Sequence, residues 1–172
     1  SYLPLSVGVL QAYAQKFLLR PDDYEFLLPI YSRIPVNEAV DTLADADIAF
    51  FSVYVWNFRI SVEIARKLKL RSPDTIIVFG GPHVPDRVDD FLRDHYFIDL
   101  ACHGEGERAA LAILESYASK DWSQVPSISF LQEGDTIIRN PKSERLNDLS
   151  VAPSPYLEGV FEPLIAAHPE ES

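Results

Sequence analysis

Apolar and polar positions alternate along this chain in blocks whose period shifts between that of a helix and that of a strand. From Leu5 to Leu18 the side chains Leu5, Val9, Ala12, Tyr13 and Phe17 recur at helical spacing, and Pro21 stops the run. Tyr24–Ile30 is a short apolar stretch with Pro29 near its end, which predicts an edge strand. Val36–Leu43 sets Val36, Val40 and Leu43 on one face of a short helix. Ile48–Trp56 is almost wholly apolar, rich in aromatic and β-branched residues, and does not alternate. That pattern predicts a strand covered on both faces, as in a parallel sheet between helices. Asn57 stands where it can cap a helix over Phe58–Leu70 that buries Ile60, Ile64 and Leu68. Beyond the turn Ser72-Pro73-Asp74 come a second central strand (Thr75–Phe79) and a short helix (Val88–Asp94). A third strand (Phe97–Cys102) and a helix (Glu105–Ala118) follow, the helix with acidic residues at its positive end. Ser127–Leu131 and Thr136–Asn140 flank Glu133-Gly134-Asp135, the mark of a β-hairpin.

The β-α-β-α rhythm predicts an α/β fold. It is a flavodoxin-like (Rossmann-like), doubly wound, mainly parallel sheet with a C-terminal β-hairpin and a Pro-rich arm. Residues 1–125 form the α/β domain, 126–140 a hairpin extension of it, and 141–172, with Pro153, Pro155 and Pro163, a linker or arm. Such a sheet has its first strand near the middle, whereas this chain opens on a helix, so a strand is expected upstream of Ser1.

Charge and cysteine content narrow the function. The 172 residues carry a formal charge of -11, and the densest basic stretch, Arg66–Arg71, fits the solvated side of a helix; neither suits a nucleic-acid partner. The lone Cys102 can form no internal disulfide and by itself hold no iron–sulfur cluster or structural zinc, which places the chain in a reducing cytoplasm. No apolar run reaches the length of a membrane span.

In open α/β sheets a ligand lies beyond the carboxyl ends of the strands. Four segments converge there: the start of the chain, Ser52–Asn57, Gly80–Val84 and His103–Glu107. Gly80 and Gly81 allow close approach of backbone to a ligand, Pro82 stiffens the exit, and Gly104-Glu105-Gly106-Glu107 leaves free N–H groups at a helix start. His83 can hydrogen-bond a ligand amide or satisfy loop carbonyls; His95 reads as solvated. Cys102 and His103 point to opposite faces of their strand and make no metal site. Tyr54 and Trp56 share a face, as core or as a ligand platform. No Ser-His-Asp set, zinc spacing or phosphate-cradling loop is present, so the domain reads as one that binds and presents a ligand. A nucleotide- or flavin-binding domain and an interaction module are the competing readings.

Ser52-Val53-Tyr54-Val55-Trp56-Asn57, Gly80-Gly81-Pro82-His83-Val84 and Gly104-Glu105-Gly106-Glu107, in this order, resemble the N-terminal cobalamin-binding domain of cobalamin-dependent radical SAM enzymes. Pro153-Ser154-Pro155-Tyr156-Leu157-Glu158-Gly159 resembles the stretch those enzymes carry before their radical SAM barrel. The resemblance implies cobalamin as cofactor, contacted by Ser52, Val53, Tyr54, Gly80, Gly81, Pro82, His83, Gly104, Glu105 and Gly106, with no catalytic or metal-ligating residue in this chain. Ser52, with Tyr54 two residues on, matches the wider family's Ser-x-Leu, and Gly80-Gly81 its glycine pair. The family's Asp-x-His-x-x-Gly is missing, which implies a cobalt with no protein histidine beneath it. The single cysteine cannot supply the Cys-x-x-x-Cys-x-x-Cys that binds a 4Fe-4S cluster and S-adenosylmethionine. The resemblance therefore implies a radical SAM domain in cis, in a methyltransferase or an oxidative-cyclase-like enzyme acting on a small molecule.

Overall fold

A computed structural model describes residues 5–30, 32–104 and 106–142. Five helices are interleaved with five strands. They run α1 (Leu5–Phe17), α2 (Val36–Leu43), β1 (Ile48–Ser52), α3 (Phe58–Arg71), β2 (Ile76–Gly80), α4 (Asp89–Asp94), β3 (Leu100–Cys102), α5 (Glu107–Ser116), β4 (Ile128–Gln132) and β5 (Thr136–Arg139). One 3-10 turn, Pro21–Asp23, follows α1.

The strands lie in chain order, β1-β2-β3-β4-β5. β1 pairs with β2 and β2 with β3 in parallel; β3–β4 and β4–β5 are antiparallel. The sheet is therefore mixed, because the hairpin adds two antiparallel pairings to the parallel core. Strand alternation divides the core into two layers. On one face Ala49, Val53, Ile77, Phe79 and Ala101 pack with Ala65, Leu68, Phe91 and Leu92 from α3 and α4. On the other, Ile76, Val78, Leu100, Cys102 and Ile128 pack with Ala109 and Ile113 of α5. Burying Phe79 completely stabilises the fold by about 2–3 kcal/mol.

Several expectations shift. Tyr24–Ile30 pairs with no strand; it is extended chain pinned by Tyr24, whose hydroxyl donates to the Leu114 carbonyl (2.7 Å). The first strand stops at Ser52, four residues early, and it is not covered on both faces, for Phe50 is 41% exposed at the sheet edge. In α3 the buried stripe is Ser61, Ala65 and Leu68, while Ile60 and Ile64 are only half-buried; small residues let this helix lie close to the sheet. Residues 143–172, and with them most of the Pro-rich arm, fall outside the described residues.

Candidate cofactor site at the carboxyl rim

The ends of the three parallel strands set the site. Ser52 is the register partner of Gly80, and Phe79 that of Ala101, so Ser52, Gly80 and Cys102 end neighbouring strands at one level. A Cβ built on Gly80 would lie 3.5 Å from Cys102 Cβ, which confirms the adjacency. The segments Ser52–Asn57 and Gly80–Val84 thus share one rim with His103 and Gly104.

Each turn is held by its own backbone. Val53 donates its N–H to the Gly80 carbonyl (2.8 Å), and His83 donates its N–H to the Val53 carbonyl (3.1 Å). Gly81 has φ +100, and a Cβ there would stand 2.7 Å from Val53 O and 2.9 Å from Val53 N. Glycine is required here because two backbones of this chain meet. Gly104 has φ +71 and open space around it, so its demand is conformational alone.

Asn57 carries a role the sequence did not announce. It occupies the N-cap of α3, but its side chain turns back instead of capping. Its Oδ1 accepts from Tyr54 N–H (2.7 Å) and its Nδ2 donates to the Ser52 carbonyl (2.9 Å). This clamp fixes the turn that lifts Tyr54 and Trp56 out of the strand. Their rings stack, 4.6 Å apart and 9° from parallel, with Trp56 74% exposed. They form a surface platform and not core.

The imidazoles divide. His83 is half-buried with its ring 4.6 Å from Phe58, a packing role. His95, expected in solvent, lies among Phe58, Phe91 and Phe97 and donates Nδ1–H to the Phe91 carbonyl (2.7 Å). His103 places Nε2 3.0 Å from Ser129 Oγ at the far side of the rim. Burial, then the nearby Lys142 and Arg139 cations, hold its imidazolium form below the ordinary range, against the pull of Asp86. Burial pushes the Cys102 thiol up to about 12, so it is inert as a nucleophile. No group of His, Cys, Asp or Glu among the described residues could hold a metal ion. Pro82 is exposed beside the Gly81 turn, Gly106 precedes α5, and Glu105 lies outside the described residues.

One observation bears directly on a ligand. Glu107, in the first turn of α5, has a buried Oε2 with no hydrogen-bond partner. A buried carboxylate oxygen without a donor is costly, and a ligand rich in N–H donors would satisfy it. The rim therefore brings together strand ends, glycine turns and, at one side, an aromatic platform, and the Glu107 acceptor lies in the first turn of the helix that follows it. The amide N–H groups that edge a corrin are donors of the kind this acceptor lacks.

A doubly covered α/β sheet with its site on such a rim defines a cofactor-binding domain, and residues 32–114 match the family described as the B12 binding domain. Those residues are a B12-binding domain, and the chain as a whole is homologous to the N-terminal portion of cobalamin-dependent radical SAM enzymes. It is 38% identical over 167 residues to the cobalamin-dependent radical SAM methyltransferase TokK of Streptomyces tokunonensis. It is also 38% identical over 167 residues to a 2-(S-pantetheinyl)-carbapenam-3-carboxylate methyltransferase of Streptantibioticus cattleyicolor. In both cases 96% of this chain aligns, and it spans 24% of the relative's length. Among solved structures it resembles OxsB, a cobalamin-dependent S-adenosylmethionine radical enzyme with aqua-cobalamin and S-adenosylmethionine bound. The TM-score is 0.70 at 25% identity, over 93% of this chain and 22% of that one. The reading as a nucleotide-binding or interaction domain is not favoured.

Proposed function

We propose that this domain seats cobalamin across the carboxyl rim and presents it to a radical SAM domain of the same polypeptide, within a cytoplasmic methyltransferase acting on a small molecule. The observation that carries this reading is the register that brings Ser52, Gly80 and the Cys102–Gly104 turn side by side. Ser52, Val53 and Tyr54 would border the ring on one side, Gly80–His83 its centre, and Gly104–Gly106 the α5 side. Glu107 would accept from a peripheral amide. Bound there, cobalamin supplies cobalt-centred group-transfer chemistry. This chain contributes binding, orientation and hydrogen-bond acceptors. His83 and His103 are engaged within the protein, which supports a cobalt face with no histidine beneath it. The two 38%-identical methyltransferases favour methyl transfer over an oxidative-cyclase reaction. Residues 141–172 would lead toward the radical SAM domain.

Full-length protein mixed with hydroxocobalamin and desalted should keep corrin absorbance near one equivalent. Gly80→Ala should weaken it while keeping its fold, since the added Cβ meets only Cys102 Cβ, at ordinary contact distance. Loss of colour from folded wild-type protein sinks the reading.

A further inference from the structure

The aromatic pair at the tip of the β1 turn gains little from the core beneath it. Val55 and Trp56 are 78% and 74% exposed, and Tyr54 is half-buried. Two rings stacked in water hold their geometry weakly by themselves, and exposed side chains ordinarily sample several rotamers. The stack is nevertheless within 9° of parallel. Its order therefore comes from the backbone that carries it.

That backbone is tied down around the exposed tip. Val53 is bound on both sides, its N–H to the Gly80 carbonyl and its carbonyl to the His83 N–H. The Asn57 N–H closes the turn on the Tyr54 carbonyl (3.3 Å). The Asn57 amide then grips the turn a second and a third time, at Tyr54 N–H through Oδ1 and at the Ser52 carbonyl through Nδ2. Asn57 is itself fixed, for its carbonyl accepts from Ser61 N–H (3.0 Å) in the first turn of α3, and Ala65 and Leu68 seat α3 in the core. Its backbone, at φ -116 and ψ 0, is not the extended backbone of an ordinary cap, and its side chain makes no capping bond. The residue type is demanded by the pair of partners. Ser52 presents an acceptor and Tyr54 a donor, and an amide answers both, whereas an ionised carboxylate has no donor to offer.

We infer that Asn57 is a positioning residue for the cofactor: by clamping Ser52 to Tyr54 it sets the Tyr54–Trp56 platform in place before a ligand arrives. Every bond of the clamp is internal to the chain, so the platform needs no ligand to form. Ordering side chains and loops on binding weakens affinity, and a surface already in shape avoids that cost. The inference rests on the cobalamin reading and adds to it a residue that acts through its neighbours.

Titration of the full-length protein with hydroxocobalamin tests this through a double-mutant cycle. Asn57→Ala should weaken binding about 10-fold. In a Trp56→Ala background the same change should weaken it less than ~3-fold, because the platform it serves is gone. An equal loss in both backgrounds overturns the inference, as does an unchanged affinity in Asn57→Ala. A purely structural role would lower the melting temperature without this coupling. The Trp56 share of the near-ultraviolet circular dichroism, taken as the difference from Trp56→Phe, reads the stack with no ligand added. It should collapse in Asn57→Ala, and a retained signal overturns the inference whatever the affinities. Should Asn57→Ala not fold, Asn57→Asp takes its place in both measurements. It keeps the acceptor for Tyr54 N–H, loses the donor to Ser52, and should lower affinity and signal in the same coupled way; wild-type values for it overturn the inference. Folded wild-type protein that binds no corrin sinks the cobalamin reading and this role with it. A wild type that binds, beside an Asn57→Ala variant that binds equally well, sinks the positioning role alone.

Discussion

Three residues decide how the rim is shaped and how it answers to pH. Gly81→Ala should cost about 2–3 kcal/mol in urea unfolding, because a Cβ at φ +100 collides with Val53 backbone that cannot withdraw. Gly104→Ala should cost only about 1 kcal/mol, the conformational part alone. The His103 imidazolium is disfavoured by the fold, so the unfolded chain takes up that proton more readily. Stability from this group is complete above the ordinary histidine pKa and declines as pH falls through it. The urea midpoint should drop between about pH 7 and 5, and His103→Gln should flatten that slope; parallel curves for both proteins would refute the assignment. The glycine pair could be read from sequence as a place where backbone comes close. Which backbone it meets could not, because Val53 lies 28 positions earlier and only the parallel pairing brings it there. Asn57 was legible as a cap by position but not as a clamp, since capping rules describe N–H groups ahead of the residue and its partners lie behind it.

At the scale of elements, the period of hydrophobicity predicted all five helices and five strands, usually within one to three residues. It failed on Tyr24–Ile30, where apolar content without a ladder partner gives extended chain. It also failed on the span of β1, where the aromatic run continues into a turn that only the Asn57 hydrogen bonds enforce. The join between β2, β3 and α3 depends on a polar contact that no periodicity shows. Asp99 Oδ2 accepts from Ile77 N–H and Lys69 Nζ, both at 2.7 Å, and Lys69 also donates to the Thr75 carbonyl. Asp99→Ala should destabilise by about 2 kcal/mol, mostly from the half-buried ammonium and amide left without an acceptor. A shift under about 0.5 kcal/mol in chemical denaturation would show that water replaces the carboxylate at no cost.

The whole molecule is an acidic sheet with its two edges treated differently. The hairpin side is closed by polar and charged residues and by antiparallel pairing, while the β1 side stays apolar and carries the aromatic platform. The ordered strand-end motifs Ser52–Asn57, Gly80–Val84 and Gly104–Glu107 were enough to read a cobalamin-binding domain from sequence. The distribution of contacts around the rim was not, because it depends on how three turns from distant parts of the chain are stacked.

The stacked pair at the rim gives the protein a built-in optical reporter. The sequence holds two tryptophans, Trp56 at 74% exposure beside the seat and Trp122 half-buried in the layer beneath α5. A corrin absorbs where indole emits, so a ring settling next to Trp56 should darken the red-shifted, water-exposed part of the fluorescence more than the bluer part from Trp122. A titration of Trp122→Phe against Trp56→Phe would then give occupancy and proximity from one emission spectrum, and equal dimming of both would move the chromophore away from that corner.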